Sequence, residues 1–149
     1  MQVTDSIRSV LGHKGHAIYM VDPLASVYEA LEVMADKHVG ALLVVSAGKL
    51  IGLISERDYA RKIILKGRSS RETSVEEIMT SPVVCASPED TVDECMRIMT
   101  INRIRHLPVM QDDHVLGVVS IGDLVNWIIT AQAETIDHLS SYIAGAYPG

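Results

Sequence analysis

Two short stretches of this 149-residue chain could do chemistry, and they are alike. Gly52-Leu53-Ile54-Ser55-Glu56-Arg57-Asp58 and Gly117-Val118-Val119-Ser120-Ile121-Gly122-Asp123 each run an apolar stretch into a serine, with an aspartate three positions on. Such a pattern starts a helix: the serine hydroxyl accepts from the amide three residues later, and the acidic residue there suits the helix dipole. The same geometry can also bind a ligand. A helix N-terminus with a hydroxyl and open amides attracts phosphate, and a carboxylate can accept from both hydroxyls of a ribose. Glutamate would cap as well as aspartate, yet both stretches use aspartate. Cap and ligand site both remain open at this point.

The two stretches belong to a longer repeat. Shifting the sequence by 65 positions aligns residues 22–60 with 87–125 without a gap. The identities are Pro23/Pro88, Val27/Val92, Glu29/Glu94, Met34/Met99, Leu42/Leu107, Val44/Val109, Gly52/Gly117, Ser55/Ser120 and Asp58/Asp123, nine in thirty-nine pairs. Most other pairs keep apolar against apolar, so two copies of one unit of about 60 residues are expected. Each copy parses alike. Ser26 and Thr91 cap helices whose apolar residues recur at helical spacing: Val27, Ala30, Leu31, Met34 and Val92, Cys95, Met96, Met99. Two apolar runs joined by a polar turn then read as a strand hairpin, at 41–45 and 50–54 and again at 106–110 and 115–119. A second helix starts near Glu56 or Ile121, and residues 16–21 or 83–86 supply a preceding strand. The expected unit is β-α-β-β-α.

The rest of the chain frames these copies. Residues 66–74 are polar, with one Gly and three Ser, and read as a linker before a helical turn at 75–79. Residues 5–11 carry Ile7, Val10 and Leu11 on one helical face, and 123–143 read as a long helix or a broken pair. Thirteen Lys and Arg against 19 Asp and Glu leave a net charge of −6, which disfavours nucleic acid as a partner. The longest apolar runs are about five residues where a membrane span needs roughly 20, and residues 1–20 show no secretory pattern. Cys85 and Cys95 stand ten apart with no CxxC, and the six His form no HExxH pair. No metal site is expected, and the thiols are expected to be free in a cytoplasmic protein. Phosphate-loop, dinucleotide and serine-hydrolase motifs are missing, so no enzyme is expected.

The tandem β-α-β-β-α unit, the Gly-h-h-Ser-x-x-Asp motif closing each copy and the Ala30-Leu31-x-x-Met34 helix resemble a pair of cystathionine-β-synthase-type (CBS) domains. The resemblance covers about Val21–Val125. It implies an α/β (α+β) fold of two CBS repeats packed as a pseudo-two-fold pair, with the terminal helices as extras. Residues 1–66 are expected to hold the first repeat with the N-terminal helix, 67–78 the linker and short helix, and 79–149 the second repeat with the C-terminal helix. It further implies clefts between the repeats that take an adenosine ligand such as AMP, ADP, ATP or NAD, with Ser55, Asp58, Ser120 and Asp123 at phosphate and ribose.

The copies differ where a strand begins. The second reads Ile104-Arg105-His106-Leu107 and the first Val39-Gly40-Ala41-Leu42. In nucleotide-sensing members of the family a His-Arg pair at this place reaches the phosphates, so the resemblance implies that part for Arg105 and His106, which stand here in the reverse order; an exposed strand-end arginine and an internally satisfied histidine are the alternative. Val39 and Ala41 are expected to complete the nucleotide-binding set. Arg61 and Lys62, in a basic helix after the first motif, either face solvent or close over a polyphosphate. Four methionines, at 34, 79, 96 and 99, read as core filling. The expected function is a non-catalytic regulatory module that senses energy or redox state through an adenine nucleotide and passes occupancy to an effector protein. A homodimer is expected from apolar stripes too long for one small module to cover. A ligand-free dimerisation scaffold or protein-interaction module is the alternative.

Overall fold

The computed structural model describes residues 4–143, with side chains through Glu134. It divides into two units, one formed by Ala17–Val84 and the other by the chain up to His16 together with the chain from Cys85 onward.

In the first unit, β1 (Met20–Val21) pairs in parallel with β2 (Ala41–Ser46), which pairs antiparallel with β3 (Lys49–Ser55). The hairpin turns at Ala47 and Gly48, both at positive φ, the twist that suits a two-residue connection. Helix α2 (Val27–Lys37) starts where the Ser26 hydroxyl accepts from the Glu29 amide and stops at His38 in the left-handed conformation. Its buried face of Val27, Ala30 and Met34 packs with Leu42, Val44 and Ile54 of the hairpin. Past β3, the short helix α3 (Glu56–Tyr59) widens into a π-helical turn, Ala60–Ile64, that buries Ile63 in the same core. Helix α4 (Val75–Ile78) adds Val75 and Ile78.

The second unit repeats this plan. Helix α5 (Val92–Asn102) is capped by Thr91 and ends at Arg103, again left-handed. Strands β4 (His106–Gln111) and β5 (His114–Ser120) pair antiparallel, with a register shift at the same place as in the first hairpin. Its buried side chains include Val92, Cys95, Met99, Leu107, Val109, Val119 and Leu124. The last helix, α6 (Ile121–Ile143), runs on as one continuous α-helix.

Four expectations change. The N-terminal helix, expected with the first repeat, forms as α1 (Ile7–Lys14) within the second repeat's unit. It buries Ile7, Val10 and Leu11 there, because β5 offers a gap: a Cβ on Gly117 would stand 2.8 Å from Leu11 Cδ2. The segment after residue 66, expected as a linker, lends α4 to the first repeat's core, and a Cβ on Gly52 would run into Met79. The strand expected over 16–21 shrinks to Met20–Val21, and that over 83–86 to a single bridge between Ala86 and Val109.

These changes have one logic, because α1 and α4 are themselves copies. The Val27 and Val92 amides donate to Thr73 and Asp5, while the Val75 and Ile7 amides donate to Ala25 and Asp90. Each repeat therefore takes its extra helix from the segment that precedes the other repeat.

Candidate functional site

Each motif sits where its hairpin hands over to a helix. Ser55 pairs across the sheet with Ala41 and Ser120 with His106, so each motif serine faces the first residue of the preceding strand. The Glu56 amide donates to the Gly40 carbonyl at 3.0 Å and the Ile121 amide to the Arg105 carbonyl at 2.8 Å. Hydrogen bonding thus holds Ala41 beside Ser55 in the first repeat, and Arg105 and His106 beside Ser120 in the second.

The first repeat's aspartate is closed. Its carboxylate Oδ2 accepts from the Ser55 amide at 3.0 Å and the Ser55 hydroxyl at 3.1 Å, and the Asp58 amide returns a bond to Ser55 Oγ. The other oxygen, Oδ1, accepts from Thr80 Oγ1 at 3.2 Å and pairs with Lys62 Nζ at 3.0 Å. Only 11% of the side chain is exposed. Both oxygens are used by the fold, as a buried carboxylate requires.

The second repeat's aspartate is half open. Asp123 Oδ2 accepts from the Ser120 amide at 2.7 Å and from Lys14 Nζ at 2.5 Å. Its Oδ1 accepts from no described residue, and a quarter of the side chain is exposed. Burial works against this carboxylate, but Lys14 and Ser120 outweigh it and hold the carboxyl below its ordinary value. Lys14 comes from the last turn of α1 and also donates to the Val118 carbonyl at 2.7 Å.

His106 is half-buried beside these charges. Burial first, then Lys14 and Arg105, push its pKa below the ordinary value against the pull of Asp123, so the ring favours the neutral form. Arg105 is exposed. Beside this cluster, within the same unit, α1 and α6 flank a half-open cavity of about 450 Å³ whose lining includes Lys14, Asp123, Trp127, Thr130 and the carboxylates of Asp5 and Glu134. The Trp127 ring meets His13 edge to face and donates its N–H to Asp5 at 2.9 Å.

The basic run after the first motif is largely paired with its own unit. Lys62 donates to the Ile78 carbonyl as well as pairing with Asp58, Arg68 pairs with Glu77, and Arg71 lies over the Tyr28 ring. Arg61 is exposed and Val39 half-buried. Sequence reasoning missed Lys14. The available signal was that Ser6-Ile7-x-x-Val10-Leu11 and Ser74-Val75-x-x-Ile78-Met79 share a pattern at a spacing of 68 rather than 65.

The chain matches the family model described as CBS domain twice, over residues 15–65 and 75–130. The chain belongs to the CBS-domain family. The mitochondrial CBS domain-containing protein CBSX3 of Arabidopsis thaliana is 46% identical over 127 residues, which cover 82% of this chain and 62% of the plant protein. This chain therefore spans less than two thirds of that relative's length. A solved structure of a CBS-domain protein from Burkholderia ambifaria superposes with a TM-score of 0.82 at 45% identity, covering 86% of this chain and 96% of that one. The CBS domain pair of protein MJ0100, solved with 5′-methylthioadenosine and S-adenosyl-L-methionine, shares the fold at a TM-score of 0.76 and 24% identity, covering 87% and 99% of the two chains. The CBS pair is thus an α/β (α+β) arrangement of two matching repeats. Among the described residues no helix is long and apolar enough to cross a membrane, and no group of three or more His, Cys, Asp or Glu could hold a metal ion.

Proposed function

We propose that this CBS pair is a non-catalytic regulatory module that binds an adenine nucleotide, AMP, ADP, ATP or NAD, chiefly through its second repeat. The observation that carries the reading is the gathering of an open carboxylate oxygen on Asp123, the cations of Lys14 and Arg105 and the imidazole of His106 at the start of a 23-residue helix. A carboxylate that can take ribose hydroxyls beside cations that can take phosphate is what a nucleotide asks of a site. The fold itself admits adenosine, since the MJ0100 pair holds two adenosine compounds. Phosphate-bearing ligands are favoured here because Lys14 and Arg105 have little to offer a bare nucleoside.

In this proposal Ser120, Asp123, Arg105 and His106 carry recognition. Ser55, Asp58, Val39, Ala41, Arg61 and Lys62 form a second, weaker site, which opens only if Asp58 gives up its internal bonds. The module acts in the cytoplasm as a homodimer, since Val125 and Ile129 leave apolar surface exposed four residues apart on α6. It passes occupancy to an effector protein.

The test is thermal stabilisation by AMP against CMP. A ligand that binds only the native state adds RT ln(1 + [L]/Kd), about 2.7 kcal/mol at a hundredfold excess over Kd. A clear shift with AMP and none with CMP is expected. Equal shifts would reduce the site to a general phosphate binder. The scaffold reading is favoured by the saturated carboxylate of Asp58, and the finding of no shift with any adenine nucleotide would establish it.

A further inference from the structure

We infer that Lys14 is a specificity-determining residue: it occupies the Asp123 carboxylate in place of a ribose and yields it only to a ligand that brings a phosphate. This rests on the nucleotide reading above and adds to it the residue that chooses between nucleotide and nucleoside. A ribose that donates both hydroxyls uses both carboxylate oxygens: Oδ1 of Asp123 is open, but Oδ2 is shared by the Ser120 amide and the Lys14 ammonium, so the second hydroxyl would donate where Lys14 now does. Lys14 has three N–H donors. One goes to Asp123 and one to the Val118 carbonyl, and the third meets no described residue.

The helix that carries Lys14 is fastened at its far end. Arg8 pairs with Glu89 at 2.9 Å, and the Ile7 and Arg8 amides donate to the Asp90 and Pro88 carbonyls. Lys14 is the last residue of that helix, before Gly15 at a φ of 103° that favours glycine. Its side chain lines the 450 Å³ cavity, so the ammonium has room to turn without moving the helix.

Displacement then has two costs. A ribose that takes Asp123 costs Lys14 its ion pair and leaves it on the Val118 carbonyl, and a phosphate on the same ligand restores an anionic partner at the same place. Adenosine therefore pays for breaking the ion pair, whereas AMP exchanges one anion for another. In the first repeat Lys62 is held on the Ile78 carbonyl much as Lys14 is on that of Val118, but both oxygens of Asp58 also accept from Ser55 or Thr80, so displacing the lysine there would not free the carboxylate for a ribose.

The experiment is titration calorimetry of adenosine and AMP against the full chain and its Lys14→Met variant, which keeps the apolar stem and removes the charge. We expect adenosine to tighten and AMP to weaken, so that the preference for AMP falls by about tenfold, the lower end of what a hydrogen bond to a charged group contributes. An unchanged preference overturns the inference while leaving nucleotide binding intact. Equal weakening of both ligands overturns it too, and makes Lys14 a structural ion pair. If neither ligand binds the unaltered chain, the nucleotide reading fails and this inference with it. A second measurement needs no variant: acetylation of Lys14 in the unaltered protein, followed by mass spectrometry. Adenosine is expected to speed it by freeing the amine, and AMP to slow it. Identical rates with and without saturating adenosine also overturn the inference.

Discussion

Asp58 and Asp123 occupy matching positions in the two repeats and have different surroundings. Around Asp58 the fold supplies four donors, from Ser55, Thr80 and Lys62, and seals the carboxylate. Around Asp123 it supplies two, from Ser120 and Lys14, and leaves one oxygen open. The difference traces to the helix that each repeat receives. In the first unit α4 is a single turn, and the chain beyond it brings Thr80 onto Asp58. In the second unit α1 runs a turn longer and reaches the aspartate with its final lysine. A duplicated motif thus serves as a cap in one repeat and as a cap with a free acceptor in the other.

Removing the donated helix contacts gives the largest expected effect. Leu11 is fully buried against the cleared position of Gly117, and its truncation to alanine is expected to cost about 2–5 kcal/mol. Amide exchange should then speed up in β5 and α6 while β3 keeps its protection. Ile78→Ala should do the reverse, speeding exchange in β3. If either substitution loosens both hairpins alike, the helices do not belong to single repeats as described.

Next come the aspartates themselves. Asp58→Ala removes a cap and leaves Lys62 and Thr80 without their acceptor, so a stability loss of about 1–3 kcal/mol is expected by denaturant unfolding. Asp123→Ala should cost less, because its pair with Lys14 is partly exposed and screened. Affinity for AMP should fall in the opposite order, with the Asp123 variant the weaker binder. Equal losses of affinity would erase the distinction between the repeats.

The smallest effect concerns pH. In the folded chain His106 titrates below its ordinary value of 6.5, chiefly because it is buried, so below that value the unfolded chain binds the extra proton first. Stability should therefore be flat above about pH 6.5 and decline as the pH drops below it. Asp123, also held below its ordinary value, adds stability above the usual carboxylate range that is lost only at more acid pH. His106→Gln should flatten the decline in melting temperature between roughly pH 5 and 6.5; an unaltered decline would place its source elsewhere. The first repeat, with Ala41 at this position, has no counterpart.

Much of this was legible in the chain. The 65-residue shift, the capping residues Ser26 and Thr91 and the apolar periodicities place the paired helices and hairpins, because these depend on neighbours within a few residues. The motif positions and the asymmetry of Arg105-His106 against Gly40-Ala41 are equally local. Three things were not legible in this way: the short β1, the lone Ala86 bridge and the allotment of α1 and α4. An apolar stripe such as Ile7, Val10 and Leu11 says that a helix must be covered and does not say by which sheet.

The sequence by itself determined that two like units exist, what each is made of, and which serine and aspartate close each one. Tertiary structure alone decided what occupies each aspartate and which carboxylate oxygen is left open. That depends on Lys14 meeting Asp123 across 109 residues, and on Thr80 meeting Asp58 across 22. Local propensity acts over a turn or two of chain, whereas the state of a carboxylate is set by whatever charge and donor lie within a few ångströms of it, and packing brings those from anywhere in the sequence.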